Sequence, residues 1–118
     1  MSRLSLVLAA AALALSPGPA VAHSLLIASV PSAEAVVNEA PTVTLRFNNR
    51  IEKKLSTIRL RDERGELRPV TVLVADGPAD WLTATVSALP AGAWRVEWRV
   101  LSTDGHVVSG SFSFRVAP

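Results

Sequence analysis

The chain contains no cysteine and no tyrosine, and its single methionine is Met1. The absence of cysteine excludes disulfide cross-links, thiolate metal ligands and a cysteine nucleophile. Because internal methionine is also missing, any metal site must be built from nitrogen and oxygen donors rather than from soft sulfur ligands.

The chain also has little excess charge. Its 12 basic and 10 acidic residues give a formal net charge of +2. A nucleic-acid-binding domain normally carries a strongly basic surface, so we predict no nucleic-acid partner. The longest apolar run, Leu4–Leu15, is shorter than the roughly 20 residues that a membrane-spanning helix needs.

The N-terminal segment has the three parts of a secretory signal peptide. Arg3 supplies the positive charge, Leu4–Leu15 the apolar stretch, and Ala20-Val21-Ala22 the small residues of a cleavage site. We therefore predict a cleaved signal over residues 1–22 and one small exported domain over residues 23–118.

Residues 23–118 show the two-residue alternation of half-buried strands, with turn signals between the runs. The clearest run places Trp94, Val96, Trp98 and Val100 on one side of a strand. Similar runs cover residues 43–47, 58–60, 70–74, 82–86 and 112–116, and the first strand is predicted over 23–29. The spacing predicts an all-β fold, namely a small Greek-key β-sandwich of the immunoglobulin-like or cupredoxin-like kind.

The domain has only two histidines, and both are in positions that favour metal binding. Cleavage after Ala22 would make His23 the N-terminal residue, with a free amine and a ring Nδ1 that can chelate one ion. Asp104 and His106 are two residues apart in a predicted turn, so their side chains can project to the same side. Three nitrogens and one oxygen suit Cu(II) or Ni(II), whereas Zn(II) prefers a tetrahedral cage. The alternative is that Asp104-Gly105-His106 is only a polar turn.

Three segments resemble the CopC family of periplasmic copper-resistance proteins. They are the opening His23-Ser24-Leu25 with Ala28-Ser29-Val30-Pro31-Ser32, the strand Thr42–Phe47, and a long C-terminal stretch. That stretch, Gly92-Ala93-Trp94-Arg95-Val96-Glu97-Trp98 to Ser102-Thr103-Asp104-Gly105-His106 and Gly110-Ser111-Phe112-Ser113-Phe114, is similar to the most specific pattern of the family.

The resemblance implies a periplasmic protein that binds one Cu(II) ion through a histidine brace. By this analogy His23 supplies its amine and ring nitrogen, His106 a second imidazole and Asp104 a carboxylate. The family also implies copper resistance or homeostasis without catalysis. The protein would be a monomer that stores the ion or passes it to an inner-membrane transporter of the CopD type.

The chain departs from its relatives in two places. Some relatives have a Cu(I) site made of methionines and a further histidine, and we expect that site to be missing here. Relatives often carry glutamate after the second strand, where this chain has Asn49. Asn49 can form hydrogen bonds but lacks the charge, which leaves the copper affinity open.

Two other functions remain as alternatives. The first is a metal-free interaction module, for which Trp81 is a candidate contact because it is in register with Thr83 and Thr85. The second is a copper oxygenase with a histidine brace. A hard carboxylate ligand favours Cu(II) over the Cu(I) state that oxygen activation needs, so the sequence favours a non-enzymatic role.

Overall fold

The computed structural model describes residues 25–75 and 77–118, so the predicted signal peptide and His23 lie outside the described residues. The described chain is all-β, apart from one 3₁₀ turn at Lys53–Leu55. Its nine strands are β1 (Leu26–Val30), β2 (Val36–Val37), β3 (Thr42–Phe47), β4 (Thr57–Arg61), β5 (Leu67–Arg68), β6 (Val70–Leu73), β7 (Trp81–Val86), β8 (Gly92–Leu101) and β9 (Val107–Val116). None of the described residues form a helix long and apolar enough to cross a membrane.

The strands form two sheets that enclose one core. One sheet has the order β1-β3-β7-β6, and the other has the order β2-β9-β8-β4-β5. Strands β3 and β7, and likewise β4 and β8, are neighbours although they are distant in sequence. Such pairings arise when the chain crosses from sheet to sheet, as it does in Greek-key sandwiches. The predicted all-β sandwich is confirmed.

Strand β8 shows how the alternating sequence builds this core. Trp94, Val96, Trp98 and Val100 are buried, with exposures of 4%, 0%, 8% and 0%. The residues between them point away from the core and are polar or charged. Strand β8 pairs with β9 over ten residues, from Gly92↔Val116 to Leu101↔Val107. This long hairpin therefore carries the core at its centre and the 102–106 turn at its end.

Trp81 faces away from the core, as its register predicts. It is 37% exposed and lies on β7 opposite Arg46 of β3. Ala28 and Val30 of β1 line the same shallow groove. Trp81 thus shares a shallow surface groove with the edge strand β1 of its own sheet.

The structure differs from the sequence-based expectation mainly in the short strands. Strands β2 and β5, each of two residues, are too short to produce an alternating pattern and were not predicted. Strand β9 begins at Val107, five residues before the apolar run that predicted it. The described part of the first strand begins at Leu26 and ends at Val30.

Candidate metal centre

Residues 102–106 form a tight turn between β8 and β9. The backbone N–H of Ser102 donates to the carbonyl of His106 at 2.9 Å, and that of Gly105 donates to the carbonyl of Ser102 at 3.0 Å. Gly105 has φ of +90°, a conformation that L side chains rarely adopt. The glycine therefore supplies the positive φ that this five-residue turn needs between Asp104 and His106.

Asp104 and His106 lie side by side at the surface. Nδ1 of His106 is 3.4 Å from Oδ2 of Asp104, and the backbone N–H of His106 donates to Oδ1 of Asp104 at 3.2 Å. Their side chains are 59% and 38% exposed for His106 and Asp104 respectively. An imidazole and a carboxylate are thus held together where an ion from solvent can reach them, as their i, i+2 spacing predicts.

Buried Ser102 contacts both residues of this pair, although we did not select it as a site residue from the sequence. It is 2% exposed, and its hydroxyl contacts both Oδ1 of Asp104 and the carbonyl of His106, the latter at 3.1 Å. A buried hydroxyl needs a hydrogen-bond partner, and here the partners are the residues on either side of Gly105. In the sequence, the only indication of this contact is that Ser102 lies two residues before Asp104.

Asn48 fixes the chain just before β1. Its Oδ1 accepts a hydrogen bond from the backbone N–H of Leu25 at 2.7 Å, and its own N–H donates to the carbonyl of Leu25 at 3.0 Å. From the sequence we considered Asn49, but these two hydrogen bonds with Leu25 are made by its neighbour Asn48. The half-buried Asn49 lies between Asn48 and the residues that contact the turn.

The same segment also touches the 102–106 turn. Ile51 forms a β-bridge with Ser102, and the N–H of Thr103 lies 3.4 Å from the carbonyl of Arg50, to which it donates. Residues 48–51 therefore connect the beginning of β1 with the turn that carries Asp104 and His106. Sequence alone did not reveal this proximity.

His23, the third predicted ligand, lies outside the described residues. It precedes Leu25 by two residues, and two extended residues span at most about 7 Å. No cluster of three metal-ligating side chains occurs among residues 25–75 and 77–118. Asp104 and His106 are accordingly two members of a predicted three-residue set.

The chain is similar in both sequence and structure to copper-resistance proteins. The model of the CopC domain matches residues 26–117. Copper resistance protein C of Xanthomonas campestris pv. juglandis is 34% identical over 112 residues, covering 89% of this chain and 88% of that protein. The crystal structure of CopC from Methylosinus trichosporium OB3b has a TM-score of 0.77 at 34% identity, covering 81% of this chain and 95% of that chain.

A longer relative matches over the same domain. Copper transport protein CutJ of Bacillus subtilis (strain 168) is 27% identical over 103 residues, which cover 85% of this chain but 19% of CutJ. The similarity is therefore to one part of that protein. Since the domain model spans most of the chain and a relative above 30% identity aligns over nearly its whole length, this chain belongs to the CopC family.

Proposed function

We propose that this protein is a periplasmic copper carrier that binds one Cu(II) ion through His23, Asp104 and His106. The observation that carries the proposal is the contact between Asp104 and His106, 3.4 Å apart at the surface. Membership of the CopC family supports copper as the ion.

The donor set explains a preference for Cu(II). The amine and ring nitrogen of His23, the imidazole of His106 and a carboxylate oxygen of Asp104 form the tetragonal nitrogen and oxygen environment that Cu(II) favours. The domain has neither cysteine nor methionine after Met1, so it lacks the sulfur ligands that select Cu(I). We accordingly propose no second, methionine-based Cu(I) site.

The proposal ties copper binding to export. In the uncut chain the nitrogen of His23 belongs to a peptide bond, which is a much poorer ligand than a free amine. Cleavage after Ala22 would create the chelating end. Copper must also displace protons from the amine and imidazoles, so affinity should fall as pH falls.

The role we propose is storage and transfer, not catalysis. An anionic oxygen ligand stabilises Cu(II) against the reduction that oxygen activation requires. The longer relative CutJ, named as a copper transport protein, supports a membrane copper transporter of the CopD type as the receiver. We propose a monomer as the carrier form.

A titration with Cu(II) tests the ligand assignment. Protein is expressed from the whole 118-residue chain, purified from the exported fraction, and titrated against a competing chelator. Asp104→Ala and His106→Ala should each weaken binding by more than the 10–100-fold that loss of an outer partner costs.

Asp62→Ala is a matched control for Asp104→Ala. Asp62 also lies in a hairpin turn, where its Oδ1 accepts hydrogen bonds from the backbone of Arg64 and Glu66 at 2.9 Å. Its loss should leave copper affinity unchanged. Equal affinities for the wild type and His106→Ala would contradict the proposed site.

A further inference from the structure

The outer face of the five-stranded sheet carries an unexpected concentration of arginine. Residues of β4, β8 and β9 that point away from the core include five arginines, which we call the arginine face: Arg59, Arg61, Arg95, Arg99 and Arg115. Across these three strands, the outward positions include one acidic residue, Glu97. Glu34 adds a second carboxylate at one edge, where it lines a pocket with Ser113 and Arg115. The excess of positive charge is therefore greatest over Arg59, Arg61, Arg95 and Arg99, which the near-neutral net charge of the chain does not reveal.

Glu97 neutralises only part of this surface. Its carboxylate accepts a hydrogen bond from Nε of Arg61 at 2.7 Å and lies 3.7 Å from Nε of Arg95. The remaining three arginines form no ion pair with residues 25–75 or 77–118; they are Arg59, Arg99 and Arg115. Exposed guanidinium groups on one face repel each other, and a partner rich in anions would relieve that repulsion.

Exposed aliphatic side chains border the arginine face. Leu67 of β5 is opposite Arg61, and Val36 of β2 is opposite Arg115, with exposures of 55% and 66%. Val107, the first residue of β9, is 53% exposed. Cationic groups bordered by exposed aliphatic side chains match a surface whose charged headgroups lie over hydrocarbon.

The spacing of the arginines also suits a broad anionic surface. Alternate residues on a strand are about 6.6 Å apart, and neighbouring strands are about 4.8 Å apart. Guanidinium groups bind phosphate oxygens in a bidentate manner. We propose that the arginine face docks this protein on an anionic phospholipid bilayer. The aliphatic border favours a bilayer over a wholly polar acidic protein surface.

This orientation would bring the β8–β9 turn close to the bilayer. Arg99 lies three residues before Ser102, and Val107 directly follows His106. A copper ion at Asp104 and His106 would then be carried near the membrane, where a transporter could receive it. The lipid proposal itself does not depend on copper binding and is tested on metal-free protein.

Vesicle co-sedimentation tests the proposal. Metal-free exported protein, with removal of residues 1–22 verified by intact mass, is mixed with vesicles of phosphatidylcholine alone or with an equal part of phosphatidylglycerol. We expect binding only to the vesicles with phosphatidylglycerol, and release as salt is added. Arg59→Gln with Arg99→Gln should weaken this binding about tenfold or more, because each arginine near an anionic surface contributes to the attraction.

The double variant Lys53→Gln with Lys54→Gln is the charge-matched control, because it removes two positive charges outside the arginine face. This variant should bind the phosphatidylglycerol vesicles nearly as well as the wild type does. If the arginine variant unfolds, Ser109→Glu replaces it, because Ser109 lies opposite Arg99 and is exposed. Three results would overturn the proposal: no binding to phosphatidylglycerol, equal binding to phosphatidylcholine, or unchanged binding by the folded arginine-face variants.

Discussion

Ser102 links the buried interior to the exposed pair Asp104 and His106. Its hydroxyl is almost completely buried and lies against Oδ1 of Asp104 and the carbonyl of His106. A metal ligand must keep its orientation when the ion arrives, and outer hydrogen bonds provide that orientation. We therefore regard Ser102 as a positioning residue for the proposed copper site.

Ser102→Ala should lower Cu(II) affinity about 10–100-fold, because Asp104 loses the hydroxyl that orients it. Ser102→Thr, which retains a hydroxyl, should recover much of the affinity. A competitive copper titration measures both variants.

Ser56→Ala is the control for this prediction. Ser56 is the other buried serine among the described residues. Its hydroxyl donates to the carbonyl of Glu52 at 2.8 Å and accepts from the N–H of Leu101 at 3.2 Å. Its loss should cost stability without changing copper affinity. A similar fall in affinity for both variants would mean that Ser102 acts only on folding.

Glu97 predicts how stability responds to acid. The hydrogen bond from Arg61, together with the charges of Arg61, Arg95 and Arg59, holds the pKa of Glu97 below its ordinary value. The folded state thus binds this proton less readily than the unfolded state does. The stabilisation is present above the unfolded pKa and is lost as pH falls through the lower, folded pKa.

Glu97→Gln should therefore lower the melting temperature at neutral pH and flatten its decline in acid. Thermal unfolding of both proteins from neutral to strongly acidic pH measures the difference. Glu66→Gln, at an exposed turn residue, controls for the loss of one charge. Parallel acid profiles for wild type and Glu97→Gln would refute this account of the ion pair.

At the scale of elements, the β8–β9 hairpin joins the core to the proposed copper site. Trp98 of β8 packs edge-on against Phe47 of β3, with ring centroids 5.2 Å apart. On β9, Gly110 is directly opposite Trp98. A Cβ at position 110 would lie 2.5 Å from Cζ2 of Trp98 and 2.8 Å from its Cε2. The indole thus occupies the space that a side chain at this position would need.

Gly110→Ala should destabilise the protein by about 1–3 kcal/mol, because the indole must shift within a packed core. Denaturant unfolding measures this change, and the intrinsic fluorescence, to which Trp98 contributes as one of three tryptophans, should change with it. Ser109→Ala, at the next, exposed position of β9, should have little effect. An unchanged unfolding midpoint for Gly110→Ala would contradict the described packing.

The long strands could be predicted from sequence because one face of each is buried. In β8 and β7 the buried residues alternate with exposed ones, and that alternation is visible in the chain itself. Strands β2 and β5 have two residues each, and β2 pairs with the distant β9 whereas β5 pairs with the preceding strand β4. Two residues are too few to leave an alternating pattern in the sequence.

The candidate site was predictable to a similar extent. The contact between Asp104 and His106 follows from their spacing in a turn. The connection from Leu25 to that turn runs through Asn48, which bonds Leu25, and Ile51, which pairs with Ser102. These contacts arise only through the sheet topology. The alternation of apolar and polar residues predicts the strands, but it does not predict which strand ends lie close together.

At the scale of the whole molecule, the two sheets bring the beginning of β1 and the end of β8 to one end of the sandwich. Among residues 25–75 and 77–118, the 15 buried apolar residues of the core lie between Ala40 and Val116. The proposed copper site would therefore join the predicted N-terminus at His23 to a fold whose described core is built from later residues.

Cu(II) should therefore raise the melting temperature of the exported protein. An ion that binds only the folded state adds about 2.7 kcal/mol when its free concentration is a hundred times the Kd. His106→Ala should abolish most of this shift, as differential scanning calorimetry would record. A shift of the same size in the variant would place the stabilising ion elsewhere.

The most direct test of the central claim is an electron paramagnetic resonance titration of Cu(II) into two proteins. One begins at His23, and the other carries one extra residue before it, which converts the amine of His23 into an amide. If His23 forms a brace, the first protein should bind one equivalent of Cu(II) with a tetragonal, nitrogen-rich spectrum, and the second should show a lost or reshaped spectrum. Identical spectra and equal affinities in the two proteins would contradict the histidine brace.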